Sequence, residues 1–201
     1  VFEVSDRWGA GQLLVLYHEL FWRLDVALAY LPEELIEKTE MVLNHFSESL
    51  GDPFPEESFN RDVWPTSLEL SSSKLRELWI AVACHALRHF RVTQNKDRFG
   101  RLSEQLERVA SGDDEVPARL EYDKCMWALA ERDREGCRKR LNAWTSSPAD
   151  PYWEVKRGAL YTEIGEFGKA RELLKGALVK IRSSQRPGSI NIFAMSRESW
   201  T

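Results

Sequence analysis

Two histidines and three cysteines are the side chains whose spacing bears most directly on chemistry. His85 and His89 lie four residues apart within LRELWIAVACHALRHFRV. In a helix that spacing puts both imidazoles on one face, where a pair can begin a metal site. A zinc hydrolase of the His-Glu-x-x-His kind needs a Glu directly after the first His, and Ala86 stands there. No third ligand follows by spacing, so neither a metal nor a cofactor is expected, and His89 reads as an exposed helix residue. Cys84, Cys125 and Cys137 form neither an even set nor a paired metal spacing. They read as small buried residues of a reducing compartment. The chain has no Gly-Lys-Ser/Thr phosphate loop and no Gly-x-Ser-x-Gly elbow. An all-helical enzyme would have to rest on His85 and His89, with residues 51–71 covering a cleft of acids. The expectation is that this chain is not an enzyme.

The elements that carry these residues read as helices throughout. Residues 11–30 set Leu13, Leu14, Tyr17, Phe21, Leu24, Ala27 and Leu28 at helical spacing. Pro32 opens a second helix with Glu33 and Glu34 in its first turn, where the helix dipole favours acids, and Gly51 closes it. Residues 51–71 hold three prolines and no sustained period, and read as a long loop. Phe54, Phe59 and Trp64 either pin that loop to a helical surface or meet a partner. Residues 71–73, all Ser, offer an N-cap to a helix whose apolar face is Leu75, Leu78, Trp79, Val82, Ala83, Ala86, Leu87 and Phe90. Another helix runs from about residue 95 to 109. Residues 116–131 and 133–147 form a pair, as do the two halves of 151–184. Pro187-Gly188 then breaks the pattern, leaving 185–201 as a linker or the start of a further element.

Within PYWEVKRGALYTEIGEFGKARELLKGALVKIRSS, residues 151–184, small and large side chains recur in an order that resembles the tetratricopeptide repeat. The residues concerned are Gly158, Tyr161, Ala170, Leu174 and Ala177. Gly158 and Ala170 are small where helices crossing at about 8–10 Å leave no room for a side chain. Tyr161, Phe167, Leu174 and Leu178 are expected to flank that crossing, and Gly165 sits at the reversal, which favours positive φ. Cys125, Ala128, Cys137, Leu141 and Trp144 repeat the pattern, each 33 residues ahead of its counterpart. Phe99-Gly100-Arg101-Leu102 lies 68 residues ahead of Phe167-Gly168-Lys169-Ala170, two repeats, so the helix at 95–109 fits the same register. Its preceding helix does not, since Phe90 falls at the small position. Two further departures from the family are Glu154 at its first aromatic, with Trp153 one residue early, and Arg182 at its closing Pro.

The resemblance implies an all-α fold of antiparallel helix pairs stacked as a right-handed superhelix, an α-solenoid. Residues 1–110 would be degenerate hairpins, 111–184 two repeats, and the whole one continuous helical domain. It further implies a scaffold that binds a protein or peptide along its first helices. Carried over by position, the groove is Arg119, Tyr122, Asp123, Met126 and Leu129 in one repeat and Tyr152, Val155, Lys156, Ala159, Thr162 and Glu163 in the next. Another part of a longer chain is the alternative occupant, since the sequence starts without Met and 196–200 reads as the opening of another element. Degenerate arrays of this look also resemble the helical regions of large bacterial defence and signalling proteins. A sensor or regulatory region of such an enzyme is therefore a second reading, and a plain spacer a third.

Composition bounds these readings. With 201 residues, 43% hydrophobic and 30% charged, the chain can bury one substantial core or form one elongated domain. Eight Trp and nine Phe recur mostly at helical spacing, as core residues do. A net charge of −4 argues against wholesale nucleic-acid binding. The acids of 33–70 and the basic runs at 86–101 and 138–140 read as charged outer faces. No apolar run reaches the length of a membrane span and no signal peptide is visible, so a cytoplasmic location is expected. Nothing in the sequence sets the oligomeric state.

Overall fold

The computed structural model describes residues 10–24, 33–47, 72–109, 115–145 and 150–184. Among the described residues all regular structure is helical: α1 (Ala10–Leu24), α2 (Glu33–Ser47), α3 (Ser72–Val92), α4 (Lys96–Val109), α5 (Glu115–Ala130), α6 (Arg134–Ala143), α7 (Tyr152–Glu163) and α8 (Phe167–Ser184). The loop reading at 51–71, the Gly51 cap and the tail at 185–201 lie outside the described residues. The chain divides between Ser111 and Gly112 into two compact units.

In the first unit α1, α2 and α4 all pack on α3. The reason is the stripe on α3: Leu75, Trp79, Val82, Ala83, Ala86, Leu87 and Phe90 are all buried, recurring at the period that keeps them on one side of the helix. Trp79 Nε1 donates to the Leu43 carbonyl of α2 at 3.0 Å, so the buried indole keeps a polar partner. Arg98 of α4 reaches the acidic edge of α2, pairing with Glu33 and, at 3.1 Å, with Glu40. Burial raises the Glu40 carboxyl, and Arg98 pulls it the other way. Arg76 donates to the Val109 carbonyl and ties the open end of the α3–α4 hairpin.

Three pairs, α3–α4, α5–α6 and α7–α8, are joined by the same three-residue turn. Its middle residue has positive φ in every case: 56° at Gln94, 62° at Arg132 and 84° at Gly165. The residue after it donates its N–H five residues back: Asn95 to Phe90 at 2.9 Å, Asp133 to Ala128 at 2.8 Å and Glu166 to Tyr161 at 2.9 Å. The middle residue donates three back, to Arg91, Leu129 and Thr162. This double bond satisfies carbonyls that the end of a helix leaves without partners. Asn95 and Asp133 then cap the next helix, their side-chain oxygens accepting from the N–H of Arg98 and Gly136. So short a link forces each pair to be antiparallel. Arg132 holds a left-handed conformation that costs an L side chain roughly 1 kcal/mol. Arg132→Gly is accordingly expected to stabilise the protein by about 0.5–1 kcal/mol, read as a higher urea midpoint. A lower midpoint would show that the turn is not strained there.

The turns also correct the register read for α4. Phe99, Cys137 and Ala170 each donate to the turn's last carbonyl, of Asn95, Asp133 and Glu166. Phe99 therefore corresponds to Ala170, not to Phe167, and the true spacing is 71 residues. Burial agrees, since Phe99 is buried while Phe167 is 67% exposed. The error of three residues is close to one helical turn, which leaves the apolar face almost unchanged and so escapes a reading by periodicity. In the corrected register Leu87 and Phe99 stand at the two close-contact positions, so α3–α4 shares the turn of the later pairs without their small residues.

The second unit has its own core, in which Ala118, Cys125, Ala128, Cys137, Leu141, Trp144, Trp153, Leu160, Tyr161, Ile164 and Ala170 are buried together. Helix α6 stops at Ala143, short of the expected residue 147, and Trp144 is extended at φ −67°, ψ 103°. Its counterpart Ala177 is a fully buried helical residue. An indole is too large for a position that methyl fills. Leaving the helix lets Trp144 lie beneath the Arg157 guanidinium, 5.9 Å from its ring centre.

Candidate binding surface on the second unit

The close crossing of α7 and α8 fixes everything around it. A Cβ placed on Gly158 would lie 2.9 Å from Cγ and Cδ2 of Leu174 and 3.6 Å from the Ala170 carbonyl oxygen. Ala170 is buried beside it and Ala177 is buried further along α8, while Leu174 is half-buried. At the α5–α6 crossing the small residues are Cys125 and Cys137, both fully buried and not in a disulfide. Burial pushes both thiols up, so they stay protonated and serve as packing groups. Tyr161, expected at the crossing, is buried, and its hydroxyl donates to Asn142 Oδ1 at 3.2 Å. Arg157 Nη2 donates to the Leu141 carbonyl at 2.9 Å, which anchors α7 to the end of α6. Phe167, expected to flank the crossing, instead stands out in solvent.

With α7 held this way, α5 and α7 present one surface. Lys156 Nζ lies 5.4 Å from the Tyr122 ring centre and 5.2 Å from that of Tyr152, between an aromatic of each helix. Trp153 backs both rings, edge-on to Tyr122 at 6.4 Å and to Tyr152 at 5.1 Å. Trp153 is buried, while Glu154, at the family's aromatic position, ion-pairs with Lys180. The indole one residue early thus takes the buried place. Of the remaining groove residues, Arg119 and Val155 are half-buried, and Ala159, Thr162 and Glu163 are exposed. Met126 and Leu129 lie partly against the core. Asp123 is 4% exposed and so offers no carboxylate to a groove.

His89 is also buried, at 7% exposure, and sits edge-on to Phe90 at 5.9 Å. The reading of it as an exposed residue is corrected by its place on the α3 core stripe, beside Ala86 and Phe90. His85 is half-buried. Among the described residues no group of three or more His, Cys, Asp or Glu is placed to hold a metal.

One concavity was not foreseen. A cleft of about 440 Å³ runs along α7 and α8 between Arg157, Lys169, Glu172 and the Glu154–Lys180 pair. Lys169 Nζ stands 5.4 Å from the Tyr161 ring centre and donates to Asn142 Oδ1 at 3.2 Å. These residues are far apart in sequence and no local pattern marks them. Only the antiparallel pairing centred on Gly165 brings them together.

Fold and surface together define an all-helical protein of packed helix pairs. Compared with protein-family models, curated proteins and solved structures, the chain matches none of them. Among the described residues no helix is long and apolar enough to cross a membrane.

Proposed function

We propose that this chain is a non-catalytic interaction scaffold, similar to tetratricopeptide arrays, that holds an extended peptide or protein segment along α5 and α7. The observation that supports this reading most is the Tyr122–Lys156–Tyr152 cluster. Two successive first helices meet there through aromatic faces and one cation. Aromatic rings of this kind give contact area at low entropic cost, and the mixture of rings and both charge signs suits a peptide better than a uniform polyanion.

The test is capture of partners by the intact chain, followed by substitution. Tyr152→Ala with Lys156→Ala removes two ring–cation contacts, each worth about 0.5–1 kcal/mol at exposed positions. Stability is expected to change by about 1 kcal/mol or less, while the captured partner is lost. Tyr122→Ala is the less clean variant, because that ring also packs on Trp153 and the core. Retention of the partner by the double variant, or collapse of its thermal transition, would remove the groove assignment.

A further inference from the structure

The outer face of α8 carries a second surface, away from the Tyr122–Lys156–Tyr152 cluster. Phe167, Arg171, Leu174, Lys175 and Leu178 recur at the spacing of one helical stripe. With Ala170 and Thr162 they enclose an open slot of about 370 Å³ between α7 and α8. Its floor is apolar, through Ala170, Leu174 and Leu178. At its mouth Phe167 is 67% exposed, a phenyl ring standing in water at the first position of a helix. Arg171 and Lys175, both exposed, stand one turn apart along its edge. Among the described residues no acid lines the slot. The helix as a whole is basic, with Lys169, Arg171, Lys175, Lys180 and Arg182 against Glu172 alone.

We infer that this face docks an amphipathic helix of a partner protein whose apolar residues are flanked by carboxylates. The argument is complementarity. An apolar floor about three turns long, from residue 167 to 178, matches two or three large side chains of a packed helix at roughly 1.5 Å of rise per residue. Two cations on its edge favour acids beside those side chains and repel bases. Thr162 is shared with the groove set, but the contact does not depend on the aromatic cluster there, since Tyr122, Tyr152 and Lys156 lie outside the slot.

The experiment uses the intact chain and two labelled synthetic helical peptides with identical apolar positions, one flanked by Glu and one by Lys, followed by fluorescence anisotropy. The Glu peptide is expected to bind and to weaken as salt rises. Its affinity is expected to fall about tenfold or more in Arg171→Glu/Lys175→Glu and to vanish in Phe167→Asp. Binding should persist in Tyr152→Ala/Lys156→Ala, which separates this surface from the groove. All three slot residues are exposed, so each variant should melt with the wild type. Equal binding of both peptides, no binding of the Glu peptide, or binding that survives Phe167→Asp overturns the inference. So does a wild-type dimer in sedimentation that Phe167→Asp dissolves, because the occupant is then a second copy.

Discussion

Gly158→Leu is expected to destabilise the second unit by about 1–3 kcal/mol or more, the range for forcing bulk into a packed contact. The site leaves little room for relief. Even a single Cβ would lie 2.9 Å from the Leu174 side chain and 3.6 Å from the Ala170 carbonyl oxygen, so α8 is already close. Gly158→Ala separates the two opposing effects at this position. Alanine favours a helix over glycine by roughly 0.5–1 kcal/mol, and half-buried Leu174 can turn aside from one methyl, so the net change should be near zero. A leucine cannot be accommodated by one rotamer change. Urea unfolding, with the midpoint falling and the slope unchanged, is the measurement. Adding Leu174→Ala to Gly158→Leu should recover part of the loss, because the two side chains compete for one space. A wild-type midpoint for Gly158→Leu would show that residue 158 is not at a crossing.

That position was legible in the sequence because absence of bulk is a strong signal. Gly158, Cys125, Cys137 and Ala170 are small for a steric reason, and the structure buries all four at helix crossings. The helices themselves were legible through their apolar period, and Gly165 through the positive φ that its turn requires. What escaped the reading was whatever depends on a phase or on a distant partner. The shift of three residues in α4 preserves the buried face, so only the turn hydrogen bonds reveal it. The same turn occurs with Gln94 and Arg132 at its strained position, where no glycine announces it. His89 looks like a surface residue because it is polar, yet its phase on α3 places it in the core. In the candidate groove, position in the repeat selected Tyr122, Tyr152 and Lys156. Their joining through the ammonium group depends on how α5 and α7 pack, which no local spacing encodes. The same positional rule selected Asp123, and burial removed it.

Trp79→Ala should produce the largest loss in the first unit, about 3–5 kcal/mol, as truncation of a fully buried tryptophan does. The indole is 0% exposed at the middle of α3, the helix on which α1, α2 and α4 all pack. Its removal leaves a cavity among elements that hold one another in place and cannot all collapse into it. It also removes the donor to the Leu43 carbonyl, a side-chain tether between α3 and the last turns of α2. Trp79→Phe divides the effect. Phenylalanine keeps most of the apolar volume and loses only the Nε1–H, so its cost should be nearer 1–2 kcal/mol, roughly one hydrogen bond plus a smaller void. Hydrogen exchange locates the change: in Trp79→Phe the amides of α2 should lose protection before those of α3, since the broken bond is the tether of α2. If Trp79→Phe proves as costly as Trp79→Ala, the polar bond outweighs the packing and α3 does not organise this unit by burial. If both variants unfold at the wild-type midpoint, Trp79 is not in the core.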